Sequence, residues 1–474
     1  MDRKTKIIAT IGPASSSIEV LRKLILQGVN VARINFSHGT EQDNILAINN
    51  VRKINTELSL HTSILADLQG PKIRIGAMPE EGVNLINGAE FTLDTTVKEG
   101  NISTAQISYL NLPEDVNPGE RILLDDGKII LEVTKTNRST KVTTKVIAGG
   151  VLYSRKGVNL PNSVISTPSL TPKDRHDLKV AIENKVDWIG LSFVRSAKDV
   201  IDLKAEIKKL NGTAKVIAKI EKPEAVAALN EILEVTDGVM VARGDLGVEI
   251  PLESVPIIQK DIVKKALKLA KPVIIATQMM ESMINSITPT RAEVNDVANA
   301  VMDGADAVML SGETSVGENP VEVIQIIARI INEVETNYSN LFNQEVVPIE
   351  NHERFITDSV CFNACRLAKR VQASAIVTMT HSGYTAFKIS SQRPKSSIFV
   401  FSSNRDLLSC LSLVWGVKTF YYNKMVSTDN TISDIKIFLK KNNLVTLGDL
   451  IINTASMPIG EVGKTNMLKL SEIE

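Results

Sequence analysis

Cysteine is scarce in this chain: Cys361, Cys365 and Cys410 stand alone among 474 residues. So sparse and odd-numbered a set excludes a disulfide framework, and the Cys361/Cys365 spacing suits one face of a helix better than a metal knuckle. A reducing cytoplasm is the expected setting. Net charge is also missing, because 54 Lys and Arg balance 54 Asp and Glu. No basic excess is left to neutralise nucleic-acid phosphates, and no acidic excess marks a solvating chain. Small molecules, rather than nucleic acid, are therefore the expected partners. Long apolar runs are absent too: nothing reaches the roughly 18 residues of a membrane span. The first 15 residues mix Asp2, Arg3, Lys4 and Lys6 with a short apolar run and lack the features of a secretory signal. Short-period repeats and low-complexity tracts are likewise missing.

What is present is a rhythm. At about 100 to 200 residues per domain the length predicts two to four domains. From residue 5 onward, apolar runs of strand length alternate with longer stretches of helical period, the mark of βα units around a parallel sheet. Strands are predicted near Lys6 to Ile11, Asn30 to Phe36, Ser63 to Leu68, Asp187 to Phe193, Ala214 to Ile220, Gly238 to Ala242, Pro272 to Thr277 and Ala305 to Leu310. Eight is the number of the (β/α)8 TIM barrel. Residues 70–165 break the rhythm: Gly, Asn and Thr rise, Val and Ile alternate with polar residues, and no helical face emerges. They read as an inserted all-β domain, a β-barrel lid, with Asp125-Asp126-Gly127-Lys128 as a hairpin turn. A further βα series, with strands near Ala375 to Met379, Ser397 to Phe401 and Leu450 to Thr454, predicts a C-terminal α/β domain. The expected organisation is a catalytic barrel of residues 1–69 and 166–339, the insertion at 70–165, and a third domain at 340–474.

Polar residues interrupt the predicted barrel strands at their C-terminal ends: Arg33, Asn35, Asp67, Lys219, Glu221, Arg243, Asp245, Thr277 and Glu313. In a closed barrel these ends share one mouth, where active sites are built. Any strand leaving a core ends in polar residues, but that does not explain the choice of ligand types. Lys219 and Glu221, two apart, face the same side of their strand. Each needs a partner or a ligand, since buried unpaired charge is costly; alone, they would serve equally well as a mutual ion pair. Asp245, ending the next strand before a glycine turn, supplies a second carboxylate. Two carboxylates suit Mg²⁺, which takes few hard oxygens beside substrate and water. The bare Gly244 amide admits close approach of an anion, and Arg33 offers a planar fork for phosphate or carboxylate. Phosphoryl transfer or enolate chemistry is expected.

These residues fall in motifs that resemble, in order and along essentially the whole chain, those of the pyruvate kinase family. They are Ala32-Arg33-Ile34-Asn35-Phe36-Ser37-His38-Gly39, Asp67 with Gly70-Pro71, Arg155-Lys156-Gly157-Val158-Asn159-Leu160-Pro161, Ala218-Lys219-Ile220-Glu221, Ala242-Arg243-Gly244-Asp245-Leu246-Gly247 and Ala276-Thr277-Gln278-Met279. The resemblance implies transfer of the phosphoryl group of phosphoenolpyruvate to ADP, giving pyruvate and ATP. It implies that Arg33 and Lys219 meet the phosphoryl group, that the amides around Gly244 and Asp245 meet the substrate carboxylate, and that Glu221 and Asp245 hold Mg²⁺ or Mn²⁺. Thr277 would stand near the carbon that is finally protonated, although its hydroxyl could equally bond nearby backbone. For the nucleotide it points to Asn35, His38, Arg74 and Lys156, the last on the return from a lid that must close. A homotetramer is implied as well, with Thr288-Pro289-Thr290-Arg291-Ala292-Glu293-Val294-Asn295-Asp296-Val297 at a subunit boundary.

One departure matters. Most family members are activated by K⁺, held by residues matching Asn35, Ser37 and Asp67, near a glutamate. Here Lys72 stands at the glutamate position and Leu68 removes a hydroxyl ligand. A fixed ammonium can supply the charge of the cation, so K⁺ is expected not to be required. In the C-terminal domain, Thr380-His381-Ser382-Gly383-Tyr384-Thr385-Ala386 resembles a loop that holds a phosphorylated effector through Thr380, Ser382, Gly383 and Thr385. Hydroxyls that merely cap the helix are the equal alternative. Ser456-Met457-Pro458-Ile459-Gly460 departs from the effector loop of sugar-bisphosphate-activated members. Two other readings compete: another metal-dependent barrel acting on a phosphoenolpyruvate or pyruvate enolate, and a noncatalytic metabolite-binding regulator.

Overall fold

The computed structural model describes residues 3–163, 165–338, 353–424, 427–458 and 465–474. The expected boundary between barrel and third domain at 339/340, and Ile459 and Gly460 of the departing loop, lie outside these residues.

Eight parallel strands close a barrel in chain order: β1 (Lys6–Ile11), β2 (Val31–Asn35), β3 (Ser63–Asp67), β4 (Trp188–Leu191), β5 (Lys215–Ile220), β6 (Gly238–Ala242), β7 (Val273–Ala276) and β8 (Ala307–Leu310). They coincide with the eight sequence runs. Both faces of every strand are covered, which is why the runs are nearly continuous in Val, Ile and Ala rather than alternating. Ile8, Val31, Leu65, Trp188, Ile217, Met240 and Ile274 point inward to one cluster. Their neighbours, such as Ile7, Ala9, Ala32, Ile64, Ile189, Val216 and Val239, point outward against the helices.

Between β3 and β4 lies the insertion. Its main sheet runs in the order Val158–Asn159, Arg121–Leu124, Ile129–Thr136, Lys141–Ala148, Glu90–Asp94, Thr104–Gln106, and a ribbon pairs Val83–Leu85 with Gly150–Leu152. Residues 73–76 join its two edges: they bridge Arg74 to Gly157 and Ile75 to Ile107, and exchange backbone hydrogen bonds with Arg155, Lys156 and Val158 on one side and with Gln106 and Ser108 on the other. The six-stranded sheet thus curls until this segment spans its two edges. The turn of residues 125–128 connects antiparallel strands, with Asp125, Asp126 and Gly127 all at positive φ (49°, 57° and 84°).

The C-terminal domain carries a sheet in the order Val417–Tyr421, Ser397–Ser402, Ala375–Met379, Leu450–Ser456, Thr465–Glu472, with only the last strand antiparallel. The first and last of these escaped the sequence reading. Both are edge strands with half-exposed, charge-bearing sequences, KTFY and NMLKLSE, so no apolar run announces them.

Candidate active site

At the mouth of the barrel the ends of β2, β3, β4 and β5 bring four charged side chains together. Lys219 Nζ lies 3.2 Å from Asp67 Oδ1 and 3.0 Å from Glu221 Oε1, and donates to Ser192 Oγ at 2.7 Å. Arg33 Nε donates to Asp67 Oδ2 at 2.7 Å, and its Nη1 to Thr10 Oγ1 at 2.8 Å. Asp67 and Glu221 are 1% exposed, Lys219 and Arg33 9%. Charges so dry persist only when mutually compensated. Burial alone would lower the Lys219 pKa, but the carboxylates of Asp67 and Glu221 outweigh it and raise it, so the ammonium is retained. Burial likewise disfavours the Asp67 carboxylate, yet Lys219 and Arg33 hold it below its ordinary value. Glu221 goes the other way: burial pushes it up, Lys219 opposes, and the nearby charge of Asp245 adds to the rise. Its second oxygen accepts from the Phe193 amide at 2.7 Å.

β6 leads directly into a short helix, Arg243–Glu249, which carries Gly244 and Asp245. Here the structure corrects one expectation. The Gly244 amide is not turned to solvent but donates to Thr277 Oγ1 at 2.7 Å, and that hydroxyl donates to the Ala276 carbonyl at 2.6 Å. Thr277 thus uses its hydroxyl on backbone, the alternative the sequence left open. It does so at φ 69°, followed by Gln278 at 54°. A β-branched residue in this region is an outlier, of the kind that stores about 1 to 3 kcal/mol at functional sites. Arg243 supports the strained turn, its guanidinium donating to the Thr277 carbonyl and to Asp296, each at 2.7 Å. Glu313, grouped with the mouth by sequence, accepts from the amides of Met280 and Ser311 instead. It is a buried backbone brace.

Asp245 Oδ1 faces Lys72 Nζ at 3.4 Å. Lys72 therefore lies at the carboxylate side of the mouth, and not on Asn35, Ser37 and Asp67. Of those three, Asn35 accepts from the Ser37 amide at 3.1 Å and Asp67 is already neutralised by Arg33 and Lys219. Leu68 is buried in the core. His38, at the surface, is held below its ordinary pKa by partial burial and then by the charges of Arg74, Arg33 and Lys72. Arg74 Nη1 donates to the Arg155 carbonyl at 3.1 Å, and Lys156 pairs with Asp125 at 2.9 Å. Both belong to the lid.

Among the described residues, no group of three or more His, Cys, Asp or Glu side chains is placed to hold a metal ion. Two carboxylates remain, Glu221 and Asp245, each set against a lysine ammonium. That small set of hard oxygens fits a dication completing its shell with substrate oxygens and water.

Sequence reasoning missed several supporting residues. Ser192 follows the end of β4 and obeys the same strand-end rule, but the predicted strand absorbed it. Thr10, next to last in β1, lies at a strand end as well, but a lone hydroxyl there does not differ from a core threonine. Glu249 Oε1 accepts from Lys222 Nζ at 2.6 Å and from Asn159 Nδ2 at 2.8 Å, all three side chains buried. This bridge ties the residue after Glu221 and the end of the Asp245 helix to the root of the lid. At the other lid root, Gly70 (φ 68°) sits so close to Phe193 that a Cβ would lie 2.9 Å from its ring, and its amide donates to Asp174.

The C-terminal loop divides between two faces. Thr380 Oγ1 accepts from the Gly383 amide at 3.0 Å and Thr385 Oγ1 lies 2.8 Å from Thr465 Oγ1, both turned into their own domain. Gly383 adopts φ 83°, and Ser382 is exposed.

Comparison with known proteins agrees with this geometry. The family described as pyruvate kinase, barrel domain, matches residues 2–324, and pyruvate kinase, alpha/beta domain, matches residues 358–471. Pyruvate kinase 2 of Synechocystis is 42% identical over 477 aligned residues, covering all of this chain and 80% of the relative. The pyruvate kinase of Geobacillus stearothermophilus is 41% identical, covering all of this chain and 81% of the relative. The crystal structure of a pyruvate kinase from Cryptosporidium parvum superposes with a TM-score of 0.91 at 34% identity, covering 100% of this chain and 96% of that one. The chain belongs to the pyruvate kinase family.

Proposed function

We propose that transfer of the phosphoryl group of phosphoenolpyruvate to ADP, giving pyruvate and ATP in the last step of glycolysis, runs on the cluster at the barrel mouth. The observation that carries this reading is the convergence of a retained ammonium, Lys219, with the carboxylates Glu221 and Asp245 at one rim. Phosphoryl transfer through a loose transition state needs positioning and charge stabilisation more than covalent help. Arg33 and Lys219 hold the phosphoryl oxygens, and Lys219 also faces the enolate oxygen as the bond to phosphorus breaks. Glu221 and Asp245 would hold Mg²⁺ or Mn²⁺, which when bound supplies Lewis-acid charge stabilisation. Thr277 fixes the Gly244 turn, so the proton that completes pyruvate comes through water rather than from a threonine engaged with backbone. Asn35, His38, Arg74 and Lys156 face the nucleotide, two of them delivered by the lid.

Lys72 makes the activity independent of K⁺. Its ammonium sits beside Asp245 and within electrostatic reach of His38, so a fixed positive charge is already at the mouth. The same reading includes a homotetramer, with the Arg291–Asp303 helix at a boundary where Ile287 and Val294 are exposed, and a cytoplasmic setting in keeping with three free cysteines. No helix among the described residues is long and apolar enough to cross a membrane.

The test is pyruvate release from phosphoenolpyruvate with Mg²⁺ in tetramethylammonium buffer, with and without ADP and KCl. Release that needs ADP and changes less than about twofold with KCl is expected. ADP-independent release would favour a different enolate enzyme, and many-fold activation by KCl would overturn the role of Lys72.

A further inference from the structure

The ladder between β5 and β6 runs to Ile220 opposite Val241. Glu221 and Asp245 both lie past its end, where as like charges they repel. A buried ion pair joins the two segments there, Lys222 with Glu249 at 2.6 Å. Lys222 is the residue after Glu221 and is held extended before Pro223. Glu249 closes the helix Arg243–Glu249 four residues after Asp245, a spacing that puts the two on one face of the helix. The pair therefore spans the gap between the carboxylates of the mouth without occupying either of them.

Stability alone does not account for this pair. Both side chains are buried, and apolar residues of similar volume hold such a site as well or better. Only one oxygen of Glu249 is engaged, Oε1 accepting from Lys222 and from Asn159 of the lid. Its Oε2 is buried with no hydrogen-bond partner among the described residues, a cost in stability. Position does account for it. Asn159 is paired within the lid sheet, opposite Leu123. The lid meets the same helix again at its hairpin turn, where a Cβ on Gly127 would lie 3.7 Å from Val248. Asn159 and Lys222 also share the wall of a small cavity with Phe193, whose amide donates to Glu221. Glu249 thus stands where the lid, Glu221 and Asp245 come together.

We infer that Glu249 is a positioning residue: its pair with Lys222 sets the separation of Glu221 and Asp245 for a divalent cation, and its bond to Asn159 seats the lid against them. The inference rests on the reading of the barrel mouth. The pair acts on metal affinity, whereas the lid bond acts on the nucleotide.

The test is Mn²⁺ binding to the full chain without substrate, read from the loss of the free-ion signal in electron paramagnetic resonance, together with Mg²⁺ kinetics. The double variant Lys222→Met/Glu249→Gln removes both charges and keeps an acceptor for Asn159. It should bind Mn²⁺ about tenfold more weakly, as when groups that orient metal ligands are lost. Its KM for Mg²⁺ should rise in step while kcat at saturating Mg²⁺ stays within about threefold of the parent. Asn159→Ala should leave Mn²⁺ affinity within about twofold of the parent, since the pair is intact. Asp245→Asn separates this inference from the reading beneath it. That variant should abolish Mn²⁺ binding at the mouth, and undiminished binding would sink the assignment of the mouth itself. If Asp245→Asn does abolish binding, parental Mn²⁺ affinity in the double variant would overturn the role of Glu249 alone. So would a fall in kcat with the metal constants unchanged, or a double variant that does not fold, since the pair would then serve the chemistry or the fold and not the spacing of the carboxylates.

Discussion

The barrel meets its two companion domains in opposite ways. Toward the C-terminal domain the contact is continuous with the core: Cys410 and Leu413 pack with Ile8, Trp188 and Met240 inside the barrel. Trp188 Nε1 donates to the Cys410 carbonyl at 3.1 Å and Lys6 Nζ to that of Val417 at 2.8 Å. Arg393 forks onto both oxygens of Asp306, at 2.7 and 3.2 Å, while Asp306 also accepts from the Trp415 amide. Toward the lid, by contrast, the hydrophobic cores are separate. The lid junction consists of polar contacts, Asn159 to Glu249 and Lys72 to Asp245, around a cavity of about 20 Å³, room for a single water. The difference teaches where motion is affordable. A junction built from burial is rigid, whereas one built from a few hydrogen bonds can hinge, and here the hinge touches Glu221 and Asp245 through Lys222 and Glu249.

The sharpest way to break this contrast is Arg393→Ala. Leaving Asp306 buried without its guanidinium should cost about 3 to 5 kcal/mol, seen as a lowered denaturant midpoint, with the KM for ADP unchanged. A loss under about 1 kcal/mol would mean that the junction is not held as described.

Next in size is a pH effect at the same junction. Burial, opposed by Arg52 and helped by Asp406, raises Asp187 to about 6. The folded chain then keeps this proton to higher pH than the unfolded chain. Its contribution is full below the ordinary value of 3.8 and is lost as pH rises toward 6. Over roughly two pH units, at about 1.4 kcal/mol each, stability should fall by roughly 3 kcal/mol from this group. Asp187→Asn should flatten that part of the stability curve, and an unchanged slope would contradict the assignment.

The smallest effect belongs to the lid. Asn159→Ala removes one hydrogen bond to Glu249, worth about 1 kcal/mol. It should raise the KM for ADP severalfold while the melting temperature barely moves. A large drop in melting temperature with kinetics untouched would make the lid junction as structural as the other.

Much of this was legible in the sequence, because parallel strands covered on both faces write themselves as apolar runs. The rule that their C-terminal ends share a mouth also drew Arg33, Asp67, Lys219 and Asp245 together. The same rule misplaced Glu313, since a carboxylate bracing backbone and one facing a ligand look alike at a strand end. Ser192 and Thr10 obey the same rule, but a lone hydroxyl at a strand end does not differ in sequence from one in the core. The Lys222, Glu249 and Asn159 bridge joins segments up to 90 residues apart, a distance no periodicity spans. Gly244 and Thr277 were drawn to the mouth correctly, but that they bond to each other depends on the left-handed turn at Thr277, which sequence does not announce.

The central claim is that the Lys219 ammonium neutralises charge as phosphorus moves. Turnover of Lys219→Met with phosphoenolpyruvate, ADP and Mg²⁺, in a chain whose circular dichroism matches the parent, tests it most directly. A fall in kcat of about 100-fold or more, corresponding to about 3 kcal/mol of lost stabilisation, is predicted. A kcat within about threefold of the parent would contradict it.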